Sequence, residues 1–124
     1  MNSLIKHIGI NVVETDIEPF YIDILGGTKL HTFTLQPEIA FNIFNLKKEV
    51  EVVIVKYDSI EFELFIHPMP QSFSFSHICI RSNQAENIAK SATINGFSLF
   101  TLQNNNKVSY FISDHNYNLF EIKQ

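Results

Sequence analysis

The sequence contains a single cysteine, Cys79, which excludes a disulfide within the chain and fits a reducing compartment. Basic residues are also few: nine stand against thirteen acidic ones, for a net charge of −4, and Lys47–Lys48 is the only basic pair. No basic stripe is present to neutralise phosphates, so we expect no nucleic-acid partner. Segment 1–16 reaches polar and charged residues too soon for a signal peptide or a membrane span. These absences predict a cytoplasmic protein without a membrane partner.

What the sequence does contain is enough apolar material for one core. The chain has 124 residues, of which 45% are hydrophobic, and twelve Phe and four Tyr supply bulky side chains that favour strands. A chain of this length fits one domain. We therefore expect a single globular domain covering residues 1–124.

An internal repeat divides this domain at an offset of seventy residues. Segment 7–30 aligns with segment 77–100 without a gap. Identical residues meet at His7 and His77, Ile8 and Ile78, Ile10 and Ile80, Ile24 and Ile94, and Gly26 and Gly96. A second similarity follows, between segments 62–64 and 120–122. A repeat of this kind predicts two copies of one structural unit, module one at about 1–70 and module two at about 74–124.

Each module has the pattern of a βαβββ unit. Alternating, β-branched residues predict strands at 4–13, 28–35, 51–57 and 60–66 in the first module, and at 75–82, 97–102, 107–113 and 118–123 in the second. Helical spacing follows each opening strand, with plausible N-caps at Thr15 or Asp16 and at Ser82 or Asn83. Gly26 and Gly96 stand where a helix end favours a left-handed residue. Residues 36–50 have no counterpart in module two, and either an extra hairpin or a lid is consistent with them.

Strand alternation places one His and one Glu of each module on the face opposite its helix. These residues are His7 and Glu63 in module one and His77 and Glu121 in module two. A strand His or Glu is usually only exposed to solvent, but here the same pair occurs in both halves. Two pseudo-symmetric modules would bring two imidazoles and two carboxylates together. That donor set suits Zn, Ni, Co, Mn or Fe(II), and an octahedral ion would keep two positions open.

Four segments in chain order carry a family resemblance, and they read HIGINVVETDIEPFYIDILGG, IEFELFIHP, HICIRSNQAENIAKSATINGF and FISDHNYNLFEIKQ. Together they resemble the vicinal oxygen chelate superfamily, which includes glyoxalase I, extradiol dioxygenases and fosfomycin or bleomycin resistance proteins. The resemblance implies an α+β fold in which two βαβββ modules form a cupped, mixed eight-stranded sheet. It implies metal ligands at His7, Glu63, His77 and Glu121. It also implies a homodimer, with the metal site either within one chain or across the two.

The same resemblance implies proton transfer α to a carbonyl of a small substrate, with Glu121 or Glu63 as the catalytic base. Arg81, Asn11 and Cys79 are the candidate substrate-binding residues. Glyoxalases that act on glutathione adducts generally have an Arg where this chain has Asn11, and an Asn where it has His67, so glutathione is not the expected substrate. The leading hypothesis is a glyoxalase-like lyase or isomerase. The alternatives are an Fe(II) dioxygenase, a non-catalytic protein that binds or sequesters a small molecule, and a silent relative.

Overall fold

A computed structural model describes residues 3–69 and 74–124 of the chain. Module one contains β1 (His7–Val12), a short 3₁₀ turn (Glu14–Asp16), a π-helix (Ile17–Ile24), β2 (Thr28–Leu35), α1 (Pro37–Phe44), β3 (Val50–Tyr57) and β4 (Ile60–Ile66). Module two contains β5 (Ile78–Arg81), α2 (Ala85–Ile94), β6 (Ser98–Asn104), β7 (Lys107–Ser113) and β8 (Leu119–Lys123). The predicted junction between the modules falls mostly at residues 70–73, outside the described ranges. No helix within those ranges is long and apolar enough to cross a membrane.

The predicted α+β fold of two βαβββ modules is confirmed. Each module forms its own four-stranded mixed sheet, in the order β1-β4-β3-β2 and β5-β8-β7-β6. In both sheets the first strand pairs parallel with the last, and the other pairings are antiparallel. The eight strands of one chain are therefore two sheets, not one hydrogen-bonded cup. The opening strands are also shorter than predicted and begin at His7 and Ile78.

The π-helix and α2 end just before Gly26 and Gly96, as the sequence predicted. Gly26 and Gly96 have φ of 79° and 83°, the left-handed conformation that ends a helix at little cost when no Cβ is present. The first helix is a π-helix rather than an α-helix, and the backbone N–H of Leu25 donates to the carbonyl of Phe20 at 2.9 Å. This wider turn is a detail that the spacing of apolar residues did not reveal.

The segment without a counterpart, 36–50, contains a helix and no hairpin. Pro37 stands at its first position, where the missing N–H has no partner to lose. Asn45 ends it with φ of 60°, in the left-handed region that Asn tolerates. The hairpin alternative for this segment is therefore wrong. α1 lies beside the sheet of module one and forms one wall of a cavity described below.

One hydrophobic core lies between the two modules. The Phe20 ring packs 4.9 Å from that of Phe97 and 5.6 Å from that of Phe120, and Phe62 lies 6.2 Å from Phe120. All four side chains are buried. The sheet faces that carry the helices thus face each other inside the chain. The aligned residues Ile24 and Ile94 differ in burial, because Ile24 is buried whereas Ile94 is 82% exposed.

Polar contacts also join the modules at the edge of this core, among them those of Tyr21 and Asp16. The Tyr21 hydroxyl donates to Asp114 Oδ2 at 2.6 Å. The buried Asp16 carboxylate accepts from the backbone N–H of His115 at 2.7 Å and lies 2.6 Å from His115 Nδ1. Asp16 stands at the predicted N-cap position of the π-helix, but its side chain makes no capping hydrogen bond there, because its oxygens contact His115 instead. The turn before β8 contains Tyr117, whose φ is 65°.

The pair formed by Asp16 and His115 predicts a pH-dependent part of the stability. The hydrogen bond to Asp16 raises the pKa of His115 above its usual value, against a smaller lowering by burial, and Asp114 adds to the rise. This stabilisation is fully present below the unfolded pKa and is lost as pH rises through the folded pKa. The side chain is 55% exposed, so the expected contribution is below about 1 kcal/mol, or roughly 3 °C in Tm.

Thermal unfolding from pH 5 to 9 tests this expectation (the range brackets the His pKa of about 6.5). The Tm of the wild type should exceed that of H115Q at low pH, and this difference should disappear as pH rises. H31Q changes an exposed histidine of β2, and its Tm should follow that of the wild type throughout. A constant Tm difference between wild type and H115Q would contradict the predicted linkage.

Candidate metal centre

The half-site of module one is formed by two neighbouring parallel strands. Phe62 and Leu64 of β4 point into the core, so the intervening Glu63 points to the opposite face. His7 begins β1, and Glu63 is the partner of Gly9 in the β1–β4 register. This stagger places His7 Nε2 3.3 Å from Glu63 Oε1. The glutamate side chain is 23% exposed, so the pair is open to a ligand from outside.

Module two repeats this arrangement with His77 and Glu121. Phe120 and Ile122 of β8 are fully buried, which turns Glu121 to the outer face. His77 precedes β5, and its Nε2 lies 3.3 Å from Glu121 Oε1. The other carboxylate oxygen of Glu121 lies 3.4 Å from Lys123 Nζ. Both pairs that the sequence predicted are therefore present.

The hydrogen bonding of His77 indicates that a cation must lie between its Nε2 and the carboxylate of Glu121. Its Nδ1 lies 3.0 Å from the Phe75 carbonyl, which is an acceptor only, so Nδ1 carries a proton. Nε2 then faces the carboxylate of Glu121. Two lone pairs at 3.3 Å repel each other unless a cation, either a proton or a metal ion, lies between them. A carbonyl that holds the remote ring nitrogen is also the usual support of a metal-binding His.

The 3.3 Å separation also fits two ligands of one ion. Donor atoms about 2.1 Å from a metal are about 3.0 Å apart in octahedral geometry and about 3.4 Å apart in tetrahedral geometry. Both pairs fall in this interval. The residues present therefore suit a divalent cation in donor type and in spacing.

The two pairs do not meet within one chain. In residues 3–69 and 74–124, no group of three or more His, Cys, Asp or Glu side chains is placed to hold an ion. The physical reason is the position of the core: the helix-bearing faces of both sheets pack together, so the two outer faces point apart. One chain thus provides two separate His–Glu pairs, each with two potential donor side chains.

The predicted substrate-binding residues lie in different places. Arg81 and Cys79 are exposed on β5, and Arg81 Nη1 donates to the Gln124 carbonyl at 3.1 Å. Asn11 lies on β1, where its carbonyl accepts from Asn118 Nδ2 at 2.7 Å, and it lines a cavity beside the first half-site. The three are therefore not one cluster within the chain.

A lid formed by residues 36–50 was one of the two alternatives for that segment, but the sequence alone did not establish the cavity beside the first half-site. This cavity has a volume of about 540 Å³ and lies between α1 and the outer face of β1 and β4. Phe65 of β4 and Phe44 of α1 contact each other edge to face in its wall, with ring centroids 5.4 Å apart. Lys48 Nζ lies 2.9 Å from His67 Nδ1 in its wall. The sequence signal was the unmatched segment 36–50, but nothing in its pattern gave the direction in which it folds.

Comparison with known proteins agrees with this architecture. No protein-family model matches the chain, and no curated protein matches its sequence significantly. A structure of the fosfomycin resistance protein FosX from Listeria monocytogenes, in a variant bound to Mn(II) and 1S,2S-dihydroxypropylphosphonic acid, matches 99% of this chain and 93% of its own, with 15% identity and a TM-score of 0.77.

Two glyoxalase family proteins are also similar. The protein from Enterococcus faecalis covers 98% of this chain and 97% of its own, at 20% identity and a TM-score of 0.69. The protein from Bacillus cereus covers 98% and 94%, at 15% identity and a TM-score of 0.71. These solved structures belong to the vicinal oxygen chelate superfamily. The chain therefore has the two-module glyoxalase/bleomycin-resistance fold of that superfamily.

Proposed function

We propose that the protein is a metal-dependent lyase or isomerase that moves a proton α to a carbonyl of a small substrate. The observation that carries the proposal is the repeated pair, in which an imidazole nitrogen and a carboxylate oxygen face each other at 3.3 Å in each module. FosX has been solved with Mn(II) bound, which supports a divalent cation as the cofactor. Mn(II) is accordingly the first ion to test here, with Zn, Ni, Co and Fe(II) beside it.

We infer further that the active form is a homodimer. Since the half-sites of one chain point apart, His7 and Glu63 of one copy would share an ion with His77 and Glu121 of a second copy. A two-fold axis makes two such sites at once. The apolar residues just before each histidine support this pairing, because Ile5 is 68% and Phe75 100% exposed in the single chain. These two residues are equivalent at the offset of seventy, and a second copy would cover both.

The chain's own residues supply ligands and a base. A bound divalent cation would act as a Lewis acid that stabilises a developing enolate. Of the two predicted bases, Glu63 is favoured: its Oε1 faces His7 and it forms no ion pair with a lysine or arginine of the described chain, whereas Lys123 lies beside Glu121 Oε2. Glu63 can therefore take a substrate proton while Glu121 stays a charged ligand.

An Fe(II) dioxygenase is the alternative with the same fold. It would use two histidines and one carboxylate and leave three positions for substrate and oxygen. The presence of a Glu in each pair argues against the dioxygenase, since the His–Glu separation is the same in both modules. Oxygen uptake in the presence of Fe(II) would be the mark of that alternative, and a metal-free protein with an occupied cavity would be the mark of a non-catalytic protein that sequesters a small molecule.

Elemental analysis combined with light scattering tests the proposal. Protein purified without chelators should be a dimer that carries two divalent ions, one for each pair of half-sites. Dialysis against a chelator should remove the ions, and adding Mn(II) should restore two per dimer. A monomer in solution, or a protein that takes up no divalent ion, would contradict the proposed function.

A further inference from the structure

The cavity beside the first half-site has features of a binding site in its own right. Its walls are mainly apolar and include Leu35, Ala40, Phe44 and Phe65. Gly9 makes room for one of them, because a Cβ there would lie 3.1 Å from Phe65 Cε2. A volume of about 540 Å³ is the size of a small-molecule site. The cavity therefore suits an apolar group of several carbon atoms.

The polar wall of this cavity presents hydrogen-bond donors. Lys48 Nζ is donor only, so its 2.9 Å contact makes His67 Nδ1 the acceptor and leaves the proton of a neutral ring on Nε2. The ammonium keeps two further N–H groups. No Asp or Glu lines the cavity, and among the described residues neither Lys48 nor His67 forms an ion pair with a carboxylate. In a chain of net charge −4, this is a local site for an anion.

The position of the pair relative to Glu63 sets the orientation of a ligand. His67 follows Glu63 by four residues at the end of β4, up to about 13 Å away along an extended strand. Phe65 lies between these two points along the chain, and Gly9 is level with Glu63 on the neighbouring strand. A molecule in the cavity would thus have one end at Gly9, beside Glu63, and the other at Lys48.

We propose that this cavity selects an amphiphilic organic anion, with an aliphatic or aromatic body packed against Phe44 and Phe65 and a carboxylate held by Lys48 and His67. The inference rests on the proposed function for one point only, that the far end of such a molecule is the end that reacts. Binding of the anion itself needs no metal, so the two proposals can fail separately.

Calorimetric titration of chelator-treated protein with octanoate and with the neutral octanamide tests the proposal. Octanoate should bind at least about tenfold more tightly than octanamide, since a charge-assisted hydrogen bond is lost with the carboxylate. K48Q should weaken the binding of octanoate about tenfold and leave the binding of octanamide unchanged. K47Q is the matched control, because Lys47 is the exposed neighbour that does not line the cavity, and it should bind octanoate as the wild type does.

F44A should weaken both ligands, because it removes one apolar wall. Octanamide binding as tightly as octanoate would overturn the proposal, and so would octanoate binding that K48Q and K47Q affect equally, or no detectable binding of either ligand. Circular dichroism should be unchanged in all three variants, since the three side chains are exposed. If octanoate binds as expected but elemental analysis finds no divalent ion, the anion site stands and the metal-dependent function fails.

Discussion

Replacing Glu121 with glutamine is expected to lower the affinity for the divalent ion by at least roughly 100-fold, since even the loss of a group that only supports a ligand costs 10- to 100-fold. Glutamine keeps the size of the side chain and its place between Phe120 and Ile122, both fully buried, so the fold should persist. What changes is the charge that faces His77 Nε2. Any activity that depends on the ion should fall in parallel.

Competition between the protein and a chromogenic chelator measures this affinity. The matched control is E61Q. Glu61 is two residues before Glu63 on β4, is likewise only partly exposed, and forms an ion pair with Lys6 at 3.3 Å. The E61Q variant therefore controls for the loss of one negative charge near the site, and its affinity for the metal should be within a few-fold of that of the wild type. An E121Q protein that binds as tightly as E61Q would remove Glu121 from the ligand set.

The sequence was sufficient for the positions of the His and Glu residues because alternation along a strand is a strong constraint. Because Phe62 and Leu64 are buried on one face of β4, Glu63 between them must lie on the opposite face. Phe120 and Ile122 place Glu121 on the opposite face of β8 in the same way. The offset of seventy then made the second pair a repetition of the first. Whether the ion site is within or between chains was left open, because that depends on how two modules pack and not on the alternation of either.

The features that the sequence did not reveal all depend on tertiary contacts. His115 has the pattern of an exposed turn residue, yet it reaches Asp16, ninety-nine positions away. Nothing in the sequence around His67 indicates a partner, and the segment that contains α1 brings Lys48 to it. For both histidines the deciding neighbour came from the other module or from the unmatched segment. Ile94 repeats Ile24 in the alignment but lies exposed.

A complementation experiment with H7A and H77A tests the shared site most directly. In the proposed dimer each variant alone would damage both sites, so each should bind the ion weakly. In a mixed dimer, module one of the H77A chain faces module two of the H7A chain, and all four ligands of that site are intact. The opposite site lacks both histidines.

Mixed dimers can be purified with a different affinity tag on each chain and titrated with Mn(II). We predict that they bind one ion tightly, where wild type binds two and each single-variant dimer binds none with comparable affinity. Mixed dimers that bind no ion tightly would contradict a site shared between chains, because no single chain in them has both histidines.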